Sequence, residues 1–324
     1  MHLTLFHLRD KAMNQILVTG ANGFVGRSLC AALRARGIPF VPAVRKKSCD
    51  DEVAIGDLNA NTDWGMALHG CDAVIHLAAR VHVMNDTSSD PLAAFRAVNV
   101  DATLNLARQA IAAGVKRFVF VSSIKVNGEE TGEHPYTAFD EPAPTDPYGI
   151  SKLEAEIALK ELAQETGLEV VIVRPPLIYG PGVRANFQRL MQLVKMGLPL
   201  PLGAINNRRS MVAVDNLHDL LILCTHHPAA VGQVFMVSDD HDVSVSQLLR
   251  MLATAMEKKS MLLPVPAALL SGAAALLGKS AVANRLLGSL QVDIKHTKTT
   301  LQWHPPVSMD VALKRTVTAY LAQS

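Results

Sequence analysis

The chain has 324 residues, 49% of them hydrophobic, enough for one large or two ordinary domains with a full core, which excludes a disordered or fibrous protein. Lys and Arg number 31 against 29 Asp and Glu, a formal charge of +2 with Arg45-Lys46-Lys47 as the one basic run, so composition predicts no nucleic-acid partner. Cys30, Cys49, Cys71 and Cys224 lack C-x-x-C spacing and, with 12 scattered His, predict neither a metal site nor a disulfide framework, which fits a reducing cytoplasm.

The opening run MHLTLFHLRDKAM carries too short an apolar stretch and the wrong charge order for a secretory signal, so residues 1–12 are read as an extension and Met13 as a candidate start. The first predicted strand, QILVT, runs into TGANGFVG, where Gly20, Gly23 and Gly26 open a helix with Asn22, Phe24 and Val25 among them. Glycine there permits a tight turn, close approach of backbone to ligand and close helix packing, while helix amides attract a pyrophosphate; dinucleotide binding is predicted. The second strand, FVPAV, ends at Val44 and Arg45. An acid at that ribose-binding end would favour a free 2′-hydroxyl and an arginine a 2′-phosphate, so Arg45, with Lys46 beside it, predicts NADP(H), with NAD(H) the alternative.

Further strands are predicted at AVIHLAA, RFVFVSS and LEVVIVR, apolar on both faces as in a sheet covered from two sides. Between them FVGRSLCAALRARG, DPLAAFRAVNVDATLNLARQAIAAG and YGISKLEAEIALKELAQETG have helical periodicity, followed by Gly37, Gly114 and Gly167 where left-handed caps would sit. Right-handed crossovers stack such units into an α/β, Rossmann-type doubly wound parallel sheet. After Arg174 the texture changes to RPPLIYGPG and a second region begins. SMVAV and QVFMVS read as isolated strands flanking the helix DNLHDLLILCTHH, a return to the first sheet. The predicted division is therefore 13–174 with a return segment at about 211–237 for the dinucleotide, and 175–210 with 238–324 as a smaller, mostly helical C-terminal substrate domain. LLPVPAALLSGAAALLGK, with two prolines, is shorter than the roughly 20 apolar residues of a membrane span. Its Ala/Leu part is read as a buried helix, with peripheral membrane contact as the alternative and no stable membrane insertion.

In DPYGISKLEAE, Tyr148 and Lys152 lie four residues apart and share one helical stripe. A phenol titrates near pH 10, but a neighbouring cation favours the phenolate, so the pair is predicted to work as an acid–base unit. RFVFVSS ends in Ser122 and Ser123, at the carboxyl end of a strand where ligands of α/β sheets gather.

Taken together, G-x-x-G-x-x-G and Y-x-x-x-K resemble the extended short-chain dehydrogenase/reductase family, in its branch acting on nucleotide sugars. Asp57-Leu58 is similar to the family's adenine-side contact, His76-Leu77-Ala78-Ala79 to its loop beside the cofactor, and Asn99, Ser122-Ser123 and Arg174-Pro175-Pro176 follow in order. The resemblance implies a catalytic trio of Ser123, Tyr148 and Lys152, with Val121 and Pro175 also beside the cofactor. It implies that Ser123, Asn186 and Arg209 meet the substrate, with Lys195 on the helix of Asn186 and PLPLG, 199–203, covering a uracil. Dehydratases of the family carry an Asp-Glu pair after the catalytic residue; Ile124 and Lys125 stand here, so dehydration is not expected. Val126-Asn127-Gly128 departs from the V-Y-G of typical 4-epimerases, and Ser210 replaces an acid after Arg209. SSIKVNGEE, HLAARVHVMND and GSLQVDI look like bacterial UDP-4-keto-6-deoxy-N-acetylglucosamine 4-reductases, which make UDP-N-acetylquinovosamine for surface polysaccharide.

The expected function is NADPH-dependent reduction at C4 of a UDP-linked 4-keto-6-deoxy-N-acetylhexosamine in polysaccharide biosynthesis. The alternative is a UDP-glucose or UDP-N-acetylglucosamine 4-epimerase holding NAD throughout. A catalytically silent NADP-sensing protein is a third reading, disfavoured because a sensor needs none of Ser123, Tyr148 and Lys152. A homodimer through the helices carrying 91–113 and 148–166 is implied by the resemblance alone.

Overall fold

The computed structural model describes residues 15–81, 90–278 and 280–323. The extension 1–12, Met13 and most of the VHVMND stretch lie outside the described residues.

In chain order the elements are β1 (Ile16–Thr19), α1 (Phe24–Ala35), β2 (Phe40–Val44), β3 (Val53–Ala54), α2 (Gly65–Leu68), β4 (Ala73–His76), α3 (Pro91–Arg96), α4 (Ala102–Ala112) and β5 (Arg117–Val121). Next come α5 (Pro147–Thr166), β6 (Glu169–Arg174), β7 (Leu177–Tyr179), α6 (Ala185–Met196), β8 (Met211–Ala213), α7 (Val214–Cys224) and β9 (Val234–Met236). The C-terminal stretch is helical: α8 (Val245–Ala255), α9 (Ala267–Leu276), α10 (Ser280–Leu287), α11 (Lys295–Leu301) and α12 (Met309–Ala322).

Seven strands form one parallel sheet in the order β3-β2-β1-β4-β5-β6-β9. Strand order reverses at β1, which pairs Ile16 with Phe40 of β2 on one side and Ala73 of β4 on the other; the crevice above this reversal is where doubly wound sheets bind ligands. Side chains alternate across the sheet, so successive residues enter opposite layers. Ile16, Val18, Ile75, Val119 and Val171 pack under α1 and α7 with Leu29, Leu33, Leu217 and Leu221. Leu17, Val74, Phe118, Phe120 and Ile172 pack under α4 and α5 with Leu106, Ala110 and Leu159. A third core joins α6, α8 and α12 through Phe187, Met191, Leu249, Leu252, Leu313 and Val317.

Gly37, Gly114 and Gly167 have φ of 66°, 83° and 76°, the left-handed conformation expected after α1, α4 and α5. QVFMVS supplies β9, which returns to the sheet beside β6. SMVAV does not join it: β8 pairs with β7 in a separate two-stranded ribbon, since the turn at Pro175-Pro176 lifts the chain away. The predicted helix 90–114 is interrupted by a π turn at Ala97–Asp101, which holds Asn99. α9 contradicts its reading as a buried helix, having no buried residue, because a run apolar all round records no direction toward a core.

Candidate active site

The cradle at the sheet reversal is shaped by glycines. Gly20 has φ of 65°, and a Cβ on it would lie 3.0 Å from the Ala78 amide nitrogen. A Cβ on Gly26 would meet the Gly20 carbonyl oxygen at 2.1 Å, so only glycine lets α1 pack this close to the turn. Gly23 is the N-cap of α1 and offers no side-chain bond, and the first turn holds no acid, whereas α3, α5 and α8 are capped by Asp90, Asp146 and Ser244. First-turn amides around Phe24 and Val25 are therefore left without a side-chain acceptor, which fits a bound diphosphate. Asn22 is exposed in the same turn.

Across the crevice the Thr19 hydroxyl accepts from the Leu77 and Ala78 amides at 3.1 Å each and meets His76 Nδ1 at 2.7 Å. His76 Nε2 lies 3.0 Å from the Thr103 hydroxyl. Burial, then the charge of Lys152, pushes the imidazole down to about 3, so it is a neutral strut. Partly buried Ala79 continues this loop, and the Arg80 amide donates to Asn99 Oδ1 at 2.8 Å while Asn99 Nδ2 donates to the Ser151 hydroxyl at 2.9 Å. The π turn thus ties the loop after β4 to α5.

At the outer end Arg45 Nε forms an ion pair of 3.0 Å with exposed Asp57, next to Leu58, which packs on the second core. The end of β2 where the ribose contact was expected therefore carries an acid as well as the base, a pairing that spacing in sequence does not reveal.

Pro147 starts α5, and Asp146 Oδ1 accepts from the Gly149 amide at 2.7 Å, which fixes Tyr148 on the first turn. The Ser123 hydroxyl stands beside the Tyr148 phenol and acts to lower its pKa, and the phenol ring meets Phe95 edge-on at 6.0 Å. Ser123, which ends the strand segment after Val121, also accepts from the Lys125 amide at 3.2 Å. Lys152 is 2% exposed; its Nζ donates to the Val121 carbonyl at 2.8 Å and sits 4.3 Å from the centre of the Phe120 ring. The expectation that Lys152 lowers the phenol is not what this geometry gives. Burial pushes Tyr148 up to about 12, Ser123 opposing and Asp146 adding. Burial likewise pushes Lys152 down to about 7, with Glu156 opposing. The amine is turned to a carbonyl and a ring face, so its charge is spent there rather than on the phenol.

Two contacts missed by the sequence reading hold α5 in place. Arg174 and Glu156, 3% and 1% exposed, form a bidentate pair, and Arg174 Nη1 donates to Asn127 Oδ1 at 3.0 Å. Asn127 thus has a structural task at the position where typical 4-epimerases carry the tyrosine of V-Y-G. Lys125 bonds both Glu129 and the capping Asp146, so it is committed to the helix start and supplies no second acid–base pair. Pro175 is buried and its carbonyl accepts from the Ile124 amide at 3.0 Å.

Of the residues expected to meet a substrate, Arg209 donates from Nη1 to the Gly288 carbonyl at 3.0 Å, and burial lowers its pKa while Glu130 opposes. Asn186 is exposed in the first turn of α6, and Lys195 near the end of that helix lies over Tyr320. The 199–203 loop is strapped by Met261 to Leu263 through Leu200 N to Met261 O at 2.9 Å and Gly203 N to Leu263 O at 2.8 Å. The structure brings Ser123 to Tyr148 and places Lys152 one turn further along α5, pairs Arg45 with Asp57, and sets Arg209 and Asn186 apart on other segments.

A parallel sheet with a glycine cradle at its reversal and a Ser-Tyr-Lys cluster beside it defines a dinucleotide-dependent enzyme of oxidation and reduction. The chain belongs to the NAD dependent epimerase/dehydratase family, whose model matches residues 16–238. It is 48% identical to a UDP-glucose 4-epimerase of Vibrio cholerae over 96% of this chain and 97% of that one. It is 31% identical to a GDP-6-deoxy-D-mannose reductase of Pseudomonas aeruginosa over 74% of this chain and 79% of that one. Among solved structures, MoeE5 in complex with UDP-glucuronic acid and NAD superposes with a TM-score of 0.76 at 25% identity, over 96% of this chain and 100% of that one.

Proposed function

We propose that the protein is a UDP-sugar 4-epimerase acting on UDP-glucose or UDP-N-acetylglucosamine, with NAD retained through the cycle. The observation that carries this reading is the 48% likeness, along nearly the whole chain, to a UDP-glucose 4-epimerase, joined to a site with one proton-transfer cluster and no carboxylate pair for dehydration. It reverses the order expected from sequence, where short segments favoured a reductase; those segments cover far less chain than the epimerase likeness.

Bound nicotinamide supplies the acceptor and donor of hydride. Tyr148, beside Ser123, is the group that takes the proton of the C4 hydroxyl and returns it, and Ser123 orients that oxygen. Protonated Lys152 would turn from the Val121 carbonyl to the cofactor ribose and phenolate, lowering the phenol as the charge arrives. Gly20, Gly23, Gly26 and the first-turn amides hold the diphosphate, Asp57 and Leu58 the adenosine end, and Asn186 and Arg209 the phosphates of the sugar nucleotide. Residues 13–174 with 211–237 carry the dinucleotide; 175–210 with 238–324 carry the sugar nucleotide. A homodimer through the helices carrying 91–113 and 148–166, where Ile157 is 48% exposed, and a cytoplasmic location complete the reading.

NADPH-dependent reduction of a UDP-4-keto-6-deoxy sugar is the second reading, favoured by Arg45 and by the GDP-6-deoxy-D-mannose reductase relative. The Arg45–Asp57 pair is exposed at both ends and holds the guanidinium only weakly, so the order of the two readings rests on the 48% epimerase likeness. One experiment separates the two: purified protein is offered UDP-glucose or UDP-N-acetylglucosamine with no added reductant, and separately the 4-keto sugar with NADPH. The expected result is interconversion of the C4 epimers and release of NAD on denaturation, abolished in Tyr148→Phe. NADPH oxidation by the keto sugar without epimerisation would establish the reductase instead.

A further inference from the structure

The described residues contain an apolar surface that neither the dinucleotide cradle nor the Ser-Tyr-Lys cluster uses. α9, AALLSGAAAL, has no buried residue; Leu269 is 65% and Leu276 91% exposed, and Leu277 follows at 71%. Leu263 and Met261 of the strap before it, and Leu198 of the loop the strap holds, are each more than half exposed. Inward anchoring comes from Leu270, which touches the third core, and from packing of α9 on α10. Scattered exposed leucines need no explanation, but a contiguous apolar patch marks a binding surface.

Charge identifies what binds. From Lys258 to Val292 the sequence holds four Lys or Arg and no Asp or Glu, although the whole chain has 29 acids. Lys258 and Lys259 stand exposed at the entry to the strap, next to exposed Glu257, with the Lys258 ammonium donating to the Lys195 carbonyl and Lys259 projecting beside it. A second copy seated on this face would bring like charges together, whereas an anionic lipid surface complements them. Length excludes spanning: 10 helical residues cover about 15 Å, half a hydrocarbon core, and no described helix is long and apolar enough to cross a membrane. A short exposed apolar helix preceded by Lys258 and Lys259 can bury its leucines at the headgroup boundary while the cations meet lipid phosphates.

We propose that α9 and the strap at Met261–Leu263 dock this protein reversibly on the surface of a bilayer containing anionic phospholipid. The strap is bonded to the 199–203 loop, so docking sets that loop beside the membrane surface. The reading does not depend on which sugar is turned over.

Flotation of the full-length protein with vesicles of phosphatidylcholine, with and without phosphatidylglycerol, tests it. Wild-type protein is expected to float with the phosphatidylglycerol vesicles and to leave them at high salt, where surface charge is screened. Lys258→Glu/Lys259→Glu should weaken binding about fivefold or more per position, and Leu269→Glu/Leu276→Glu should abolish it, both variants keeping the wild-type circular dichroism and turnover of a soluble UDP-sugar. Wild-type protein that stays off both vesicles, or a Leu269→Glu/Leu276→Glu variant that floats as well as wild type, overturns the proposal. So does a sedimentation experiment in which that variant turns a dimer into a monomer while wild type ignores the vesicles, because the helix would then be a face between copies.

Discussion

His76 illustrates how one buried side chain sets both the site and the acid stability. It is 1% exposed, bridges the Thr19 and Thr103 hydroxyls, and burial with the charge of Lys152 holds it down to about 3. In the unfolded chain a histidine takes up its proton below about pH 6.5. Between those values the unfolded state binds one more proton, so the neutral imidazole's contribution is complete above 6.5 and is lost as pH falls toward 3. The slope is about 1.4 kcal/mol per pH unit for one proton. Lys152, pushed down to about 7, acts in a different window, raising stability as pH climbs from 7 toward the ordinary lysine range. Urea unfolding of His76→Gln at pH 4, 5, 6 and 8 should therefore reveal a lower stability at pH 8, by about 1–3 kcal/mol for the disturbed hydrogen bonds, and a shallower fall below pH 6 than wild type. Parallel curves would mean that another group carries the acid limb.

At the scale of the element, α1 depends on the absence of an atom. A Cβ on Gly26 would run into the backbone of the turn, the Gly20 carbonyl oxygen at 2.1 Å and Ala21 Cα at 2.8 Å, so Gly26→Ala must push α1 off the turn after β1. The expected cost is about 1–3 kcal/mol of stability, together with at least a tenfold loss of dinucleotide affinity in calorimetric titration. Gly37→Ala is the control: it meets nothing within 4 Å and bears only the strain of φ at 66°, so affinity should be unchanged. This part of the molecule was legible in the sequence because turn, helix start and cap are local, and so were the five longer strands and the Tyr148–Lys152 spacing. β3, with two residues, is too short to have a period. The π turn at Asn99 answers to Arg80 and Ser151, 19 and 52 residues away, and the pairs Arg45–Asp57 and Glu156–Arg174 join separate elements. A hydrophobic run likewise says that α9 is apolar, not whether anything covers it. In the candidate site, spacing placed Tyr148 and Lys152 on one helical stripe, while the direction of the Lys152 amine came only from Val121 and Phe120 standing opposite it.

For the whole molecule, the question is whether sheet and C-terminal helices melt separately. The family model ends at 238, just past β9, yet the chain beyond it completes the sheet's own core. Leu290, Val292, Ile294, Leu301 and Trp303 belong to the cluster that includes Ile16, Val18 and Ile75. Asn216 on α7 donates to Asp239 at 2.7 Å and to the Val307 carbonyl at 2.8 Å, and Trp303 Nε1 donates to Asp219 at 2.9 Å. Thr297 reaches the Met236 carbonyl of β9 at 2.6 Å. Cutting after 238 would expose one layer of the sheet and orphan buried Asn216, so a chain of residues 15–238 should fail to give a folded, soluble protein. The full chain should unfold in one calorimetric transition with equal calorimetric and van't Hoff enthalpies. Added NAD should raise that single transition as a whole, in proportion to the logarithm of its concentration above Kd, since a ligand held by the native state stabilises everything that unfolds with its site. Two resolved transitions, only one of them moved by NAD, would mean that the C-terminal helices fold independently of the sheet they cover.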